Sequence, residues 1–208
     1  MLNRKILTSL AFGVAMAVAT PSLAQMPFSL IRGTIDMVEG NVMTLTTVEG
    51  EQLSITLNDG YIVGYNTALT LADLTVNTEI GVTTIDGPDG LPVPIEVHVM
   101  DESGNMNDEW DLPGDDVGLM TNGVITEATA AEGGQLITVH YISADGSREG
   151  DLTLLIPNET PVVRLMNESD PSLLVPGAYV FVVAVQGADG AWSTGYIQAE
   201  KDGVRPPL

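Results

Sequence analysis

The strongest constraint on the fold is that one pattern of turns and strands occurs twice along the chain. The tetrapeptide RGTI at 32–35 recurs as NGVI at 122–125, and DGPDG at 86–90 recurs as GADG at 187–190. The offset between the two copies grows from 90 to 100 residues. Solenoid arrays repeat every 20 to 50 residues or so, so this longer period indicates a duplicated domain.

Within each copy apolar residues alternate with polar ones, as in Leu53, Ile55 and Leu57. A period of two is typical of half-buried β-strands. Short segments at 71–74 (LADL) and 171–174 (PSLL) interrupt this pattern and favour a helical turn. The pattern predicts strands near residues 29–38, 42–48, 52–58, 79–86 and 92–100, and again near 120–129, 135–143, 150–157, 178–187 and 191–200.

Five strands with a helical turn between the third and the fourth have the order of an OB-type barrel. We therefore expect an all-β fold of two tandem OB-like five-stranded small barrels, each with a short helical turn between strands 3 and 4. The barrels are expected at 25–100 and 120–202, with an acidic linker at 101–119 and a C-terminal tail at 203–208. A single larger β-sandwich is the alternative.

Residues 1–24 have the form of a secretory signal peptide. A basic start (Asn3-Arg4-Lys5), an apolar stretch at 6–19 and the small residues around Ala24 predict export and cleavage after Ala24. No later apolar run reaches the roughly 18 residues of a membrane helix, so we expect no transmembrane segment after cleavage. Because the chain has no Cys, a bacterial periplasmic or secreted location is favoured over a eukaryotic secretory route.

Several of these motifs carry a resemblance to a known group of proteins. RGTI (32–35), VEGN (38–41), LADL (71–74), IGV (80–82) and DG (89–90) resemble the exported bacterial OB-like domain of unknown function that occurs singly and in tandem. WDL (110–112), MTNG (120–123), DG (202–203) and PP (206–207) are similar to a proteobacterial group of exported two-domain proteins. That group is often named metal transporter permease, which the lack of a predicted membrane segment does not support. The resemblance implies the fold, and it brings no catalytic residues.

Composition excludes several classes of function. With 7 Lys and Arg against 28 Asp and Glu, a net charge of −21 leaves no basic surface for nucleic acid. The absence of Cys excludes zinc–thiolate sites, iron–sulfur clusters and thiol nucleophiles. No G-x-S-x-G, H-E-x-x-H, S-x-x-K or P-loop motif is present, so no enzyme class is indicated. An envelope hydrolase is the weakest alternative.

One candidate metal site lies on the predicted last strand of the first copy. Glu96, His98 and Met100 share one face there, because side chains alternate along a strand. Imidazole and thioether donors suit copper(I). The alternative is a solvent-facing histidine beside a methionine that covers the barrel end. His140, the second histidine, has no acidic neighbour in sequence and is expected to be structural.

The acidic linker is the second candidate, since carboxylates on a loop suit Ca²⁺. Its spacing matches no EF-hand, and a solvated linker with Trp110 packed on a barrel is the alternative. The acids that could take part are Asp101, Glu102, Asp108, Glu109, Asp111, Asp115 and Asp116.

The sequence thus predicts an exported, non-enzymatic binding or envelope-associated module that contacts a protein partner or a cation. The alternative is a periplasmic metal-handling protein that uses Ca²⁺ at the linker, or copper at His98 and Met100. No ligand or oligomeric state is indicated.

Overall fold

The computed structural model describes residues 28–88, 90–100, 107–113 and 118–207, and the fold in these residues is all-β. Its strands are β1 (Phe28–Glu39), β2 (Val42–Thr47), β3 (Gln52–Ala68), β4 (Glu79–Asp86), β5 (Pro92–Val99), β6 (Asp108–Asp111), β7 (Leu119–Ala131), β8 (Gly134–Ile142), β9 (Glu149–Pro157), β10 (Val162–Met166), β11 (Tyr179–Gln186) and β12 (Trp192–Ala199). Two 3-10 turns, Leu71–Asp73 and Pro171–Leu173, precede β4 and β11. Among the described helical segments, none has the length and apolarity to cross a membrane. The expected signal peptide at 1–24 lies outside the described residues.

All ten strands expected from the alternation are present, which confirms the all-β class. Three features were not expected: β6, β10 and the continuation of β3 to Ala68. The Asn-Asp-Gly triplet at 58–60 does not end β3, which continues to Ala68. The stretch is irregular: Gly60 takes a positive φ of 74°, a conformation that glycine adopts without strain. The parallel partner β12 pairs with both halves of β3, Thr194 opposite Leu57 and Tyr196 opposite Ile62.

Five strands close into a barrel in the order β1–β2–β3–β12–β11, with β11 pairing back to β1. Neighbouring strands are antiparallel except for β3 and β12, which are parallel. Apolar residues that alternate along these strands fill the interior, among them Ile35, Met43, Ile55, Val63, Val182 and Ile197.

The barrel combines strands from both copies of the duplicated pattern. Its first three strands belong to the first copy, whereas β11 and β12 belong to the second. The exchange is reciprocal, since β4 and β5 of the first copy form a sheet with β7, β8 and β9 of the second, around a separate core. Strand pairing therefore does not follow the expected division into barrels at 25–100 and 120–202.

The exchange begins where β3 and β10 meet. These strands run past the strands of their own copies and pair with each other, Val163 opposite Ala68 and Met166 opposite Tyr65. β10 also pairs in parallel with β5, Val162 opposite Val97. The chain that leaves each of the two strands then contributes its next two strands to the opposite group.

Part of the expected acidic linker is ordered as β6, paired with β7. Two of its three acids have protein partners: Asp108 forms an ion pair with Arg148, and Glu109 accepts hydrogen bonds from the hydroxyls of Thr121 and Tyr141. Hydroxyl groups from β7 and β8 and the guanidinium of Arg148, which lies just before β9, thus satisfy two carboxylates in this part of the linker.

Candidate functional site

The sheet formed by β4, β5, β7, β8 and β9 is called the second group of strands below. A cavity of about 590 Å³ is lined by strands of the closed barrel, by strands of the second group and by β10. Its volume lies within the range of about 300 to 1,000 Å³ that is usual for small-molecule sites. Most of the lining is apolar, and the residues that contribute to it include Phe28, Leu30, Val163, Leu165, Phe181 and Val183.

The barrel presents apolar side chains on its outer face because β11 is apolar on both sides. Val180 and Val182 point into the barrel core, while Phe181 and Val183 alternate with them and line the cavity. An uninterrupted apolar run is typical of a strand that is covered on both faces. The run YVFVVAV at 179–185 is thus a sequence signal for this wall.

Asn66 is the most unusual polar residue of the cavity. Its side chain lines the cavity and the residue is only 2% exposed, yet neither Nδ2 nor Oδ1 has a hydrogen-bond partner among the described residues. A buried polar group without a partner costs about 1 to 3 kcal/mol, so such groups are rare in folded proteins. A ligand in the cavity would supply the missing partner.

A second polar group is fully hydrogen-bonded. The Tyr196 hydroxyl donates to Asn167 Oδ1 at 2.9 Å and accepts from Gln198 Nε2 at 2.6 Å. Burial raises the pKa of Tyr196, and the bond from Gln198 only partly opposes it, so the phenol stays neutral. All three residues line the cavity.

The third polar group is the pair Glu96 and His98 on β5. Glu96 is fully buried (0% exposed), and its Oε1 accepts a hydrogen bond of 2.6 Å from Thr83 on β4. His98 Nδ1 lies 3.1 Å from Oε1 and 3.2 Å from Oε2 of the same carboxylate. Because Nδ1 faces Glu96, the ring directs Nε2 away from the carboxylate and toward Gly81 on β4.

The His98 ring fits because β4 has a glycine opposite it. Gly81 pairs with His98 in the β4–β5 register, and a Cβ at Gly81 would lie only 2.2 Å from His98 Nε2. The same Cβ would lie 2.5 Å from Asn122 Oδ1. Any larger residue at Gly81 would therefore move the imidazole away from Glu96.

The Glu96–His98 pair predicts a pH-dependent stability. Burial by itself lowers the pKa of His98, but the charge of Glu96 and its hydrogen bond outweigh it, so the pKa lies above the ordinary value of 6.5. The folded state therefore binds the proton more tightly than the unfolded state does. The resulting stabilisation is fully present below pH 6.5 and is lost as the pH rises through the folded-state pKa.

Urea unfolding across this pH range measures the effect. The free energy of unfolding is expected to fall as the pH rises above 6.5, and Glu96→Gln is expected to remove that fall. His140→Gln, which changes the other histidine, should not remove that fall. Equal slopes in wild type and Glu96→Gln would contradict the assignment to His98.

The structure brings together only part of the predicted metal sites. Glu96 and His98 touch, whereas Met100 is buried just beyond β5 and is not among the residues that line the cavity.

At the predicted calcium site, Asp111 is exposed, and the acids Asp108 and Glu109 bind protein groups. Asp101, Glu102, Asp115 and Asp116 lie outside the described residues. Within the part of the chain that is described, no group of three or more His, Asp or Glu side chains could hold a metal ion. Calcium and copper binding stay predictions.

His140 lies on β8, away from this cavity, and its side chain is 38% exposed. Its Nδ1 is 3.0 Å from Asp151 and its Nε2 is 3.7 Å from Glu149, both on β9. The acidic neighbours that the local sequence lacks are thus provided by the next strand. The structural role expected for His140 stays a prediction.

Sequence reasoning missed four polar lining residues, Asn66, Asn167, Tyr196 and Gln198. They lie on or beside β3, β10 and β12 and become neighbours only through the exchange of strands. A carboxylate next to an imidazole is an arrangement that can position a general base. The described lining residues, however, include no Ser, Thr, Cys or Lys that it could activate.

No protein-family model, curated protein or solved structure matches this chain.

Proposed function

We propose that this chain is a non-enzymatic binding protein for a small, mainly apolar molecule that carries one polar group. The ligand occupies the cavity lined by the barrel and the second group of strands. The observation that carries the proposal is Asn66, a buried amide that has no partner among the described residues and lines a cavity of about 590 Å³. A polar group of the ligand would satisfy that amide.

The composition of the walls supports this assignment. Binding is favoured because the ligand removes the apolar surface of side chains such as Phe181 and Leu165 from water. A few fixed polar groups in an otherwise apolar cavity orient a ligand, which is the usual design of small-molecule sites. Here those groups are Asn66, the Glu96–His98 pair and the network around Tyr196.

We interpret the two groups of strands as OB-like units that have exchanged their last two strands. The barrel order, the parallel pairing of β3 with β12 and the 3-10 turn before β11 support this interpretation. In our proposal the duplication creates a site that a single unit lacks. An exported, envelope-associated location and contact with a protein partner stay predictions.

Binding of a neutral fluorescent probe, N-phenyl-1-naphthylamine, tests the proposal. Its emission should rise saturably with the wild-type protein. Val183→Trp places an indole in the cavity, so it is expected to lower the affinity for the probe by about tenfold or more. Circular dichroism would show that the variant keeps its fold.

Val42→Trp is the matched control, because Val42 lies on β2, is 37% exposed and does not line the cavity. This variant should bind the probe as the wild type does. Equal affinities of the folded Val183→Trp variant and the wild type would show that the probe binds elsewhere, and the proposal would then fail.

A further inference from the structure

The geometry points to an ammonium ion as the polar group of the ligand: the cavity selects amphiphilic amines over alcohols and carboxylic acids of equal chain length. This inference rests on the proposed ligand-binding function and names the chemical class of the ligand. Three independent observations support it, namely the buried acid, the aromatic lining and the charge of the protein.

Glu96 offers a fully buried carboxylate with acceptor capacity to spare. Oε1 interacts with both Thr83 and His98, but among the described residues Oε2 has only the longer contact of 3.2 Å to His98. A carboxylate can accept about four hydrogen bonds, and an ammonium group has three donors. Asn66 Oδ1 is a further acceptor without a partner among those residues. Both residues line the cavity, so its lining offers acceptors to a ligand that carries donors.

No Lys or Arg is present among the described residues that line the cavity. A ligand carboxylate would have His98 as its only cationic neighbour, and Glu96 already neutralises that charge. A buried charge without an opposite partner is strongly unfavourable. An ammonium ion, in contrast, is a donor, and Oε2 of Glu96 has acceptor capacity left beside its 3.2 Å contact with His98.

Aromatic rings and net charge favour a cation as well. Phe28, Trp110, Phe181 and Tyr196 line the cavity, and the faces of such rings attract cations. The chain has a net charge of −21, which raises the local concentration of cations and lowers that of anions. The same rings accommodate the apolar part of the ligand.

Competition against the fluorescent probe tests the inference with octylamine, octan-1-ol and sodium octanoate at neutral pH. Octylamine is expected to displace the probe at a concentration about tenfold or more below that of octan-1-ol, with octanoate the weakest. The order should persist at high salt, because a buried contact is screened less than the charge of the protein surface. Octanoate equal to or stronger than octylamine would overturn the amine class.

Glu96→Gln should bring octylamine to within about twofold of octan-1-ol without weakening the alcohol. Glu109→Gln is the matched control, since it also removes one negative charge but Glu109 does not line the cavity. The preference for the amine should persist in Glu109→Gln, and its loss in that variant would overturn the role of Glu96.

Displacement of the probe by octan-1-ol without any advantage of the amine refutes the amine class and leaves ligand binding intact. Failure of the probe to bind refutes the proposed function itself.

Discussion

His98→Leu is expected to lower the free energy of unfolding by about 3 to 5 kcal/mol, because it leaves the carboxylate of Glu96 buried without its charged partner. Glu96 is fully buried, and among the described residues only Thr83 would then donate to it. Urea unfolding below pH 6.5, where His98 is protonated in the wild type, measures the loss. The mean cost of breaking an exposed ion pair is far smaller.

A second substitution separates this electrostatic cost from lost packing. In the His98→Leu background, Glu96→Gln replaces the stranded carboxylate by a neutral amide and should recover most of the stability. His140→Leu gives the surface comparison, since that histidine is 38% exposed, and should cost less than about 1 kcal/mol. An equally large loss in the double variant and in His98→Leu alone would assign the effect to packing.

The strands could be predicted from the sequence because their signal is local. Alternation such as Leu53, Ile55, Leu57 needs only a pleated backbone and one buried face. The triplet at 58–60 misled the prediction of where β3 ends, since Asn-Asp-Gly usually makes a turn. Tyr61, Ile62 and Val63, which follow it, have the β-branched and aromatic character of a strand.

The strand partners could not be predicted in the same way. The two copies carry nearly the same pattern. Local periodicity therefore does not distinguish β1 from β7, its counterpart in the second copy, as the neighbour of β4. The choice depends on contacts between distant segments, such as the pairing of β3 with β10.

The candidate site was predictable only where it is local. Alternation alone placed Glu96 and His98 on one face, and they are in contact in the structure. Asn66, about thirty residues earlier, joins them in one cavity because β10 pairs with both β3 and β5.

The exchange of strands predicts strong coupling between two buried residues of different copies. Val63 on β3 and Ile197 on β12 are opposite each other in one core and fully buried. Ile197→Ala alone should cost about 2 to 5 kcal/mol. Together with Val63→Ala, the loss should depart from the sum of the single losses by about 0.5 to 3 kcal/mol. Urea unfolding of the two single variants and the double variant completes the cycle.

Val97 supplies the matched comparison, because it occupies on β5 the position that Ile197 occupies on β12, 100 residues later. In two self-contained tandem barrels Val63 would face Val97, and that pair would be coupled. In the structure Val97 is opposite Val162 in the other core, so Val63→Ala and Val97→Ala should be additive within about 0.5 kcal/mol. Coupling of Val63 with Val97 but not with Ile197 would reject the exchange. The cavity would be rejected with it, because the exchanged strands β5, β11 and β12 form much of its wall.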